Sequence, residues 1–573
     1  MENANLQSRK TVWFVLAIVF YALLILPLST FSLFREELNL GLGELVLLLF
    51  GLSIFVATLL VFLLRLSPGK LSSALELSLM LLAILLSYNF YAGDYGGKVI
   101  GADPDVFDQS YTMFEIALFL AVIAAFIVGY RRIKPHYPSI ALLMILAAFG
   151  NFLALFSASD KSVEMAAERP LMNGNFLDFS LRENVIHIIL DGMQGTHFSR
   201  ILESDAVLKD KFSGFTFFPD ALTASEVTYL SLSSIFSGNA WDGRGSIKKY
   251  RSQSGLFVEP GKTDVETQSF LEKLANNQFL VQTLVAPGSA FRERSFYDEY
   301  LYTEILMEGG SEAASLMRLL DLTLIKVAPW QIKRSVYKNG DWLFSKSSEE
   351  QLPRANQVFR FLEEYEKEMS ATNPEPVYKL LHLLTPHGPW TTGPDCEVVA
   401  AQKGQPAAYA QARCTMLSLG AFMEGLQRLG MYERSMIVIH GDHGICDPRG
   451  LPAQRKSNPN IPHCVGNTNP LVMIKPASND AIFRISAKAV ELTDIAPTIL
   501  DQFSIEHDYL GVNVFKEQAA PPRTRYFYQF TPNRTLAAKQ DKVDDVKRYE
   551  VTGPVSEAAS WCLSSSNNCS TRE

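Results

Sequence analysis

The sequence predicts a multi-pass α-helical membrane domain followed by an extracytoplasmic α/β domain built on a parallel sheet. Three observations carry that reading. Five long apolar runs fill residues 1–158. Beyond them, apolar runs rich in β-branched residues stop abruptly at an acid beside a glycine, as buried strands do where an open α/β sheet presents a ligand site. All six cysteines lie C-terminal to the apolar region, as suits a domain outside the cytoplasm.

The apolar runs are Thr11–Leu33, Leu42–Leu64, Leu71–Tyr91, Met113–Tyr130 and Tyr137–Ser157. Each approaches or exceeds the roughly 20 residues that span a bilayer core. The first is too long for a cleaved signal peptide, and no small-residue cleavage site follows it. The loops alternate in charge. Arg9, Lys10, Arg65, Lys70, Arg131, Arg132 and Lys134 fall on one side, and Glu36, Glu37, Asp94, Asp103, Asp105 and Asp108 on the other. The excess of positive charge puts the N-terminus in the cytoplasm. Five crossings then place the remainder on the outer side of the inner (plasma) membrane, periplasmic or extracellular. One span would suffice as an anchor, so five lean towards a role in handling a lipid.

The 573 residues carry a net charge of −8 and no basic stripe or nucleic-acid motif. No nucleic-acid partner is expected. The cysteines form three sequence-local couples, Cys396 with Cys414, Cys446 with Cys464, and Cys562 with Cys569. Such couples suggest disulfides closing short loops, although six cysteines allow other pairings. The expected organisation is a membrane domain over 1–158, a juxtamembrane linker over 159–183, a catalytic domain over 184–520, and a C-terminal hairpin and tail over 521–573.

The strongest local signal is Met436-Ile-Val-Ile-His-Gly441-Asp442-His443-Gly444. An Asp and a His side by side at the end of a buried strand form a transition-metal ligand pair, suited to zinc or manganese. A polar turn after a strand explains the same letters. A second apolar strand from Asn184 ends in Asp191-Gly192, and two such strands can bring both acids to one mouth. Thr228 stands at the expected N-cap of a helix running to Ser237, where free N–H groups and the helix dipole favour a nucleophilic oxygen or a phosphate. An ordinary Thr cap is far commoner. A third strand from Val377 ends in Thr385-Pro-His387-Gly-Pro389. His387, on the turn, suits a phosphate contact or a general acid, while His382, within the strand, reads as a satisfied core histidine.

In this order, Asp191-Gly, Thr228-x-x-Ser231, His382…His387-Gly-Pro389 and Asp442-His443-Gly resemble the alkaline phosphatase/sulfatase superfamily. The pattern is most similar to its membrane-bound phosphotransferases: lipoteichoic acid synthase, the phosphoethanolamine transferases and the phosphoglycerol transferases. The resemblance covers roughly 184–505 by motif and the apolar region by architecture. It implies an alkaline-phosphatase-like α/β sandwich. It implies that Asp191, Thr228, Asp442 and His443 bind a divalent metal, zinc or manganese, that Thr228 is the nucleophile, and that His387 contacts the phosphate. His463 is a looser candidate for a substrate or second-metal ligand. The implied activity takes a phosphoglycerol or phosphoethanolamine headgroup from a phospholipid donor and passes it, through a phospho-threonine, to a glycan or lipid acceptor. Many of the lipid phosphotransferases carry Glu where Asp191 stands. A phosphoester or sulfate ester hydrolase of the same fold is the alternative; sulfate is disfavoured because the run from Thr228 lacks the Pro and Arg of Cys/Ser-x-Pro-x-Arg. A non-catalytic membrane binding or sensing protein is a third possibility.

Overall fold

The structure, a computed structural model, describes residues 12–34, 38, 40–91, scattered positions between 116 and 153, 174–241, 246–254, 269–285, 297–302, 312–337, 343–345, 354–445, 461–462, 465–479, 481–516, 523–530 and 546–564. The chain divides into two compact units, Met1–Arg169 with Gly309–Gln351, and Pro170–Glu308 with Leu352–Glu573.

In the first unit, Val12–Leu33 (α1), Leu42–Leu66 (α2) and Gly69–Tyr91 (α3) are long and apolar enough to cross a membrane. Their boundaries fall within two residues of the expected runs. They pack through small and medium side chains, with Phe14, Val15, Ile18 and Val19 of α1 against Ala57 and Leu64 of α2 and Met80 and Ala83 of α3. Large apolar residues such as Leu47, Phe55 and Phe62 point away from the unit, an arrangement lipid favours and water does not. The runs expected at Met113–Tyr130 and Tyr137–Ser157 fall largely outside the described residues.

The second unit is a three-layer α/β/α domain. Its eight-stranded sheet comprises Asn184–Leu190 (β1), Thr216–Phe217 (β2), Leu280–Val285 (β3), Glu299–Tyr302 (β4), Val377–Leu383 (β5), Ser435–Gly441 (β6), Val472–Lys475 (β7) and Arg484–Ile485 (β8). The order is β8-β2-β7-β6-β1-β5-β3-β4. The stretch β6-β1-β5-β3-β4 is parallel, and β7 runs antiparallel to β6. The residues of β1, β5 and β6 are buried throughout. This is why they read as continuous apolar runs rather than alternating ones.

Side chains alternate between the two faces. Ile186, Ile188 and Leu190 meet one core, which includes Phe361 and Tyr365 of Arg354–Glu368 and Met416, Leu419 and Phe422 of Gln405–Arg428. Val185 and Ile189 meet the other, with Leu232, Ile235 and Phe236 of Thr228–Ser237 (α4) and Ile499 and Leu500 of Ile495–Gln502. Layers on both faces fix the strand register, since a one-residue slip would exchange the two cores.

Three features depart from the sequence expectation. The second half of the expected linker is built into the domain, with Asp178–Ser180 pairing in parallel with Ser370–Asn373. Residues 309–351 group with the apolar helices although they lie, in sequence, within the catalytic domain. The C-terminal segment is a separate three-stranded antiparallel sheet, Arg525–Phe530, Val546–Val551 and Trp561–Leu563. Cys396 and Cys414 form the expected disulfide, and Cys562 is also disulfide-bonded. Cys446, Cys464 and Cys569 lie outside the described residues.

A buried cation ties that last sheet to the domain. Arg525 is 1% exposed and donates to the Asp220 carboxylate at 3.1 and 3.2 Å, to the Asp220 carbonyl at 2.9 Å and to the Gly553 carbonyl at 2.6 Å. Removing one partner of a buried pair strands the other, which costs about 3 kcal/mol or more. Arg525→Ala is expected to lower the thermal midpoint of the catalytic unit by several degrees, read by intrinsic fluorescence of the full chain. Arg525→Lys should recover part of that loss.

Candidate active site

Strand register assembles the site. β1 pairs in parallel with β6 so that Leu190 lies opposite Gly441. The residues that follow, Asp191 and Asp442, therefore leave the sheet at the same edge. One ligand atom from each of Asp191, Asp442 and His443 lies within 4.8 Å of the others. His443 Nε2 stands 3.4 Å from Asp442 Oδ2 and 3.9 Å from Asp191 Oδ1.

The glycines around the motif act differently from a simple sharp turn. Neither Gly441 nor Gly444 has a positive φ. A Cβ on Gly441 would sit 2.3 Å from the Met193 carbonyl oxygen, and one on Gly444 would sit 2.0 Å from the Gly466 carbonyl oxygen. Glycine is needed here for close backbone approach. Gly192 does adopt a positive φ of 76°, and its open face receives the backbone of His387, whose Cα would lie 3.8 Å from an added Cβ.

Hydrogen bonds fix the protonation pattern. Asp442 Oδ1 accepts from Gly192 N–H at 3.0 Å and from His443 N–H at 2.9 Å. Asp442 Oδ2 is buried and has no hydrogen-bond partner. His443 Nδ1 lies 2.8 Å from the Gly444 carbonyl oxygen. A carbonyl only accepts, so Nδ1 carries hydrogen, and Nε2 is the ring atom turned towards Asp442 Oδ2. An imidazole nitrogen and a carboxylate oxygen at this distance, beside a second carboxylate, make a set of ligand atoms that a cation could bridge. Burial pushes the Asp442 carboxyl up, but the neighbouring His443, the Gly192 N–H, His382 and the Thr228 hydroxyl together hold it below the usual carboxylate range. Two carboxylates, an imidazole and a hydroxyl suit a divalent ion such as zinc or manganese.

Thr228 is the first residue of α4, and the cap position belongs to Val227, whose side chain makes no capping bond. This corrects the expected N-cap role. With Val227 in the cap, the Thr228 hydroxyl turns into the site, 3.2 Å from His443 Nε2. Behind it, the hydroxyls of Thr223 and Ser231, 2.9 Å apart, both bond the Asp442 carbonyl. They hold the C-terminal end of β6 against α4.

His382 is not a plain core histidine. It is fully buried, and its Nε2 lies 3.8 Å from Asp191 Oδ2. Burial pushes its pKa down to about 4, with Asp442 pulling the other way. His440 is pushed down to about 4 by burial as well. Its Nδ1 bonds the Gly441 carbonyl at 2.8 Å, so its Nε2 accepts from His187 Nε2 at 2.6 Å, and His187 Nδ1 accepts from the Tyr378 hydroxyl at 2.7 Å. Alternation places His382, His440, His187 and Tyr378 on one face of three adjacent strands. The sequence analysis missed this buried polar row, because a single histidine inside an apolar strand carries no sign of its cross-strand partner. His387 is half-buried on the turn after β5, its Nδ1 bonded to the Gly388 carbonyl at 2.7 Å. His463 lies outside the described residues.

The domain thus brings two acids, an imidazole and a helix-borne hydroxyl together at one edge of its sheet. Residues 339–505 match the family model described as Sulfatase. Enzymes of that family are hydrolases or transferases. The match spans His382, His387, Asp442 and His443, and begins C-terminal to Asp191 and Thr228. No curated protein matches the sequence. Among solved structures the chain is similar to phosphonate monoester hydrolase SpPMH from Silicibacter pomeroyi, at 12% identity over 64% of this chain and 85% of that one, TM-score 0.41. It is similar to lipoteichoic acid synthase LtaP from Listeria monocytogenes, at 15% identity over 58% of this chain and 75% of that one, TM-score 0.34. A protein in the alkaline phosphatase superfamily from Vibrio parahaemolyticus is similar at 11% identity, over 69% and 85%, TM-score 0.41.

The hydroxyl pair behind Asp442 is open to direct test. Ser231→Ala with Thr223→Val leaves a buried carbonyl without donors, which costs about 1–3 kcal/mol. The double variant is expected to stay folded, with a lower thermal midpoint and a metal affinity reduced about tenfold or more, as when outer-shell support of a ligand is lost. Isothermal titration with zinc reads the second effect.

Proposed function

We propose that this protein is a membrane-anchored, metal-dependent phosphotransferase. It takes a phosphoglycerol or phosphoethanolamine headgroup from a phospholipid and passes it to a glycan or lipid outside the cytoplasm. The observation that carries this reading is the Thr228 hydroxyl at the start of α4, 3.2 Å from His443 Nε2, beside the unpartnered Asp442 Oδ2. The run from Thr228 lacks the Pro and Arg that accompany a matured sulfatase nucleophile, which favours phosphoryl over sulfate chemistry. Three apolar helices and the Cys396–Cys414 disulfide support a location on the outer side of the inner (plasma) membrane, with substrates in the bilayer.

Asp191, Asp442, His443 and Thr228 are the residues that would hold the metal. A bound divalent cation would lower the pKa of the threonine hydroxyl and offset charge on the phosphoryl group. Thr228, its proton lost to water, attacks the phosphorus. An oxygen–phosphorus bond forms to Thr228 and the ester bond to diacylglycerol breaks. Protonated His387 gives the leaving oxygen its proton. In the second step the acceptor hydroxyl gives its proton to His387 and bonds to phosphorus, the Thr228 oxygen–phosphorus bond breaks, and the released Thr228 oxygen takes its proton back from water. Resting on positioning and charge neutralisation, both steps need no further cofactor.

The test is intact mass spectrometry of the full chain incubated with mixed phosphatidylethanolamine and phosphatidylglycerol and with manganese or zinc. The wild type is expected to gain a headgroup-sized adduct that Thr228→Ala lacks. Full transfer by Thr228→Ala would overturn the assignment. Phosphoester cleavage by the wild type without adduct or transfer would replace it with a hydrolase.

A further inference from the structure

Residues 309–351 lie between β4 and the helix Arg354–Glu368 in sequence, yet group with the apolar helices. They contain Glu312–Val327 (α5) and Trp330–Tyr337 (α6). The chain therefore leaves the catalytic unit at Glu308, enters the first unit, and returns at Leu352.

The packing is specific. Leu319, Leu322 and Ile325 of α5 and Val336 of α6 share one core with Leu28 and Phe31 of α1, Leu38, and Leu45 and Leu49 of α2. Val327 joins Ile25 and Leu26 of α1 and Phe90 of α3. These partners come from the C-terminal half of α1, the N-terminal part of α2 and the C-terminal end of α3. Three helices that alternate in direction present those segments at a single end of the unit, the end remote from the chain's N-terminus. This agrees with the charge-derived orientation, in which that end faces outside.

α5 also has an apolar side outside that core: Ala313, Met317 and Leu320, spaced four and three residues apart, are exposed. No charged residue interrupts this stripe. A helix apolar on both faces is a core or membrane element rather than a surface one. At 16 residues, α5 is about 24 Å long, short of the roughly 30 Å of a hydrocarbon core. It cannot cross. Its one buried acid is answered within the hairpin: Asp321 accepts from the N–H groups of Phe344 and Ser345, at 3.0 and 2.7 Å, and from the Ser345 hydroxyl at 2.7 Å. Those bonds bring the returning strand back beside α5, as a charged group held in apolar surroundings requires.

We propose that Glu312–Val327, Trp330–Tyr337 and residues 343–345 form a re-entrant hairpin seated in the outer leaflet of the bilayer, with the Ala313–Met317–Leu320 stripe facing lipid acyl chains. The partner is lipid because α5 packs directly on apolar helices whose own outward residues, Leu47 and Phe55 among them, are exposed. The catalytic unit is thus tied to the bilayer through its own chain as well as through the linker after Ser157. The inference does not depend on which ester the active site handles.

Photo-crosslinking tests it on the full chain in phosphatidylethanolamine/phosphatidylglycerol nanodiscs. p-Benzoylphenylalanine is placed singly at Leu320 and Met317, at Phe62 of α2 as the span control, and at Ile482, an exposed residue of the catalytic unit, as the water control. Lipid adducts at Leu320 and Met317 are expected in yields like that at Phe62 and about tenfold or more above Ile482. Lipid at Phe62 but not at Leu320 or Met317 would overturn the hairpin. Crosslinked dimers at Leu320 in place of lipid would assign the stripe to a second copy instead. Lipid at none of the three would overturn the bilayer placement of the whole first unit. None of these outcomes touches the phosphoryl-transfer reading, which the adduct experiment tests separately.

Discussion

Everything at the active site depends on two carboxylates and an imidazole being held together at one edge of the sheet. Asp442 Oδ2 has no hydrogen-bond partner, His443 Nε2 faces it at 3.4 Å, and Asp191 closes the group. Left to itself, such a cluster is destabilised by burial and by repulsion between like charges. A fold retains it where a cation offsets that cost. The rest of the domain keeps the cluster from relaxing. Parallel register aligns Leu190 with Gly441, the Asp442 carbonyl is bonded by Thr223 and Ser231, and Gly441 and Gly444 admit neighbouring carbonyls too close for any side chain.

The same region shows how a buried sheet carries polar groups. His187, His440 and Tyr378 satisfy one another in sequence, each donor meeting one acceptor. Burial keeps the His440 imidazole neutral, its pKa pushed down to about 4. Neutral rings are compatible with a positive ion nearby, where protonated ones would compete with it. Fully paired buried networks of this kind rigidify the surrounding core, here the strands whose ends form the site.

Much of this was legible in the sequence for a simple reason. Strands buried on both faces read as unbroken apolar runs, and Asp191 and Asp442 interrupt those runs at the sheet edge. The acids, the histidine after Asp442 and the hydroxyl of Thr228 could therefore be singled out before any coordinates. His382 could not, because its proximity to Asp191 is set by cross-strand pairing. The cap position shifted by one residue because Val227, a residue with no capping atom, ends the extended segment. The grouping of residues 309–351 with the apolar helices was not legible because α5 is too short for a span and carries Arg318, Asp321 and Lys326; it emerges only from what the helix packs against.

The most direct test of the account is metal stoichiometry of the purified full chain. Wild type and Asp442→Asn would be dialysed against zinc and then against metal-free buffer, with metal and protein counted by elemental and amino-acid analysis. Stoichiometric zinc on the wild type and little on Asp442→Asn, at matching circular dichroism, is the result the account predicts. Equal zinc on both proteins, or none on a folded wild type offered either zinc or manganese, would contradict it.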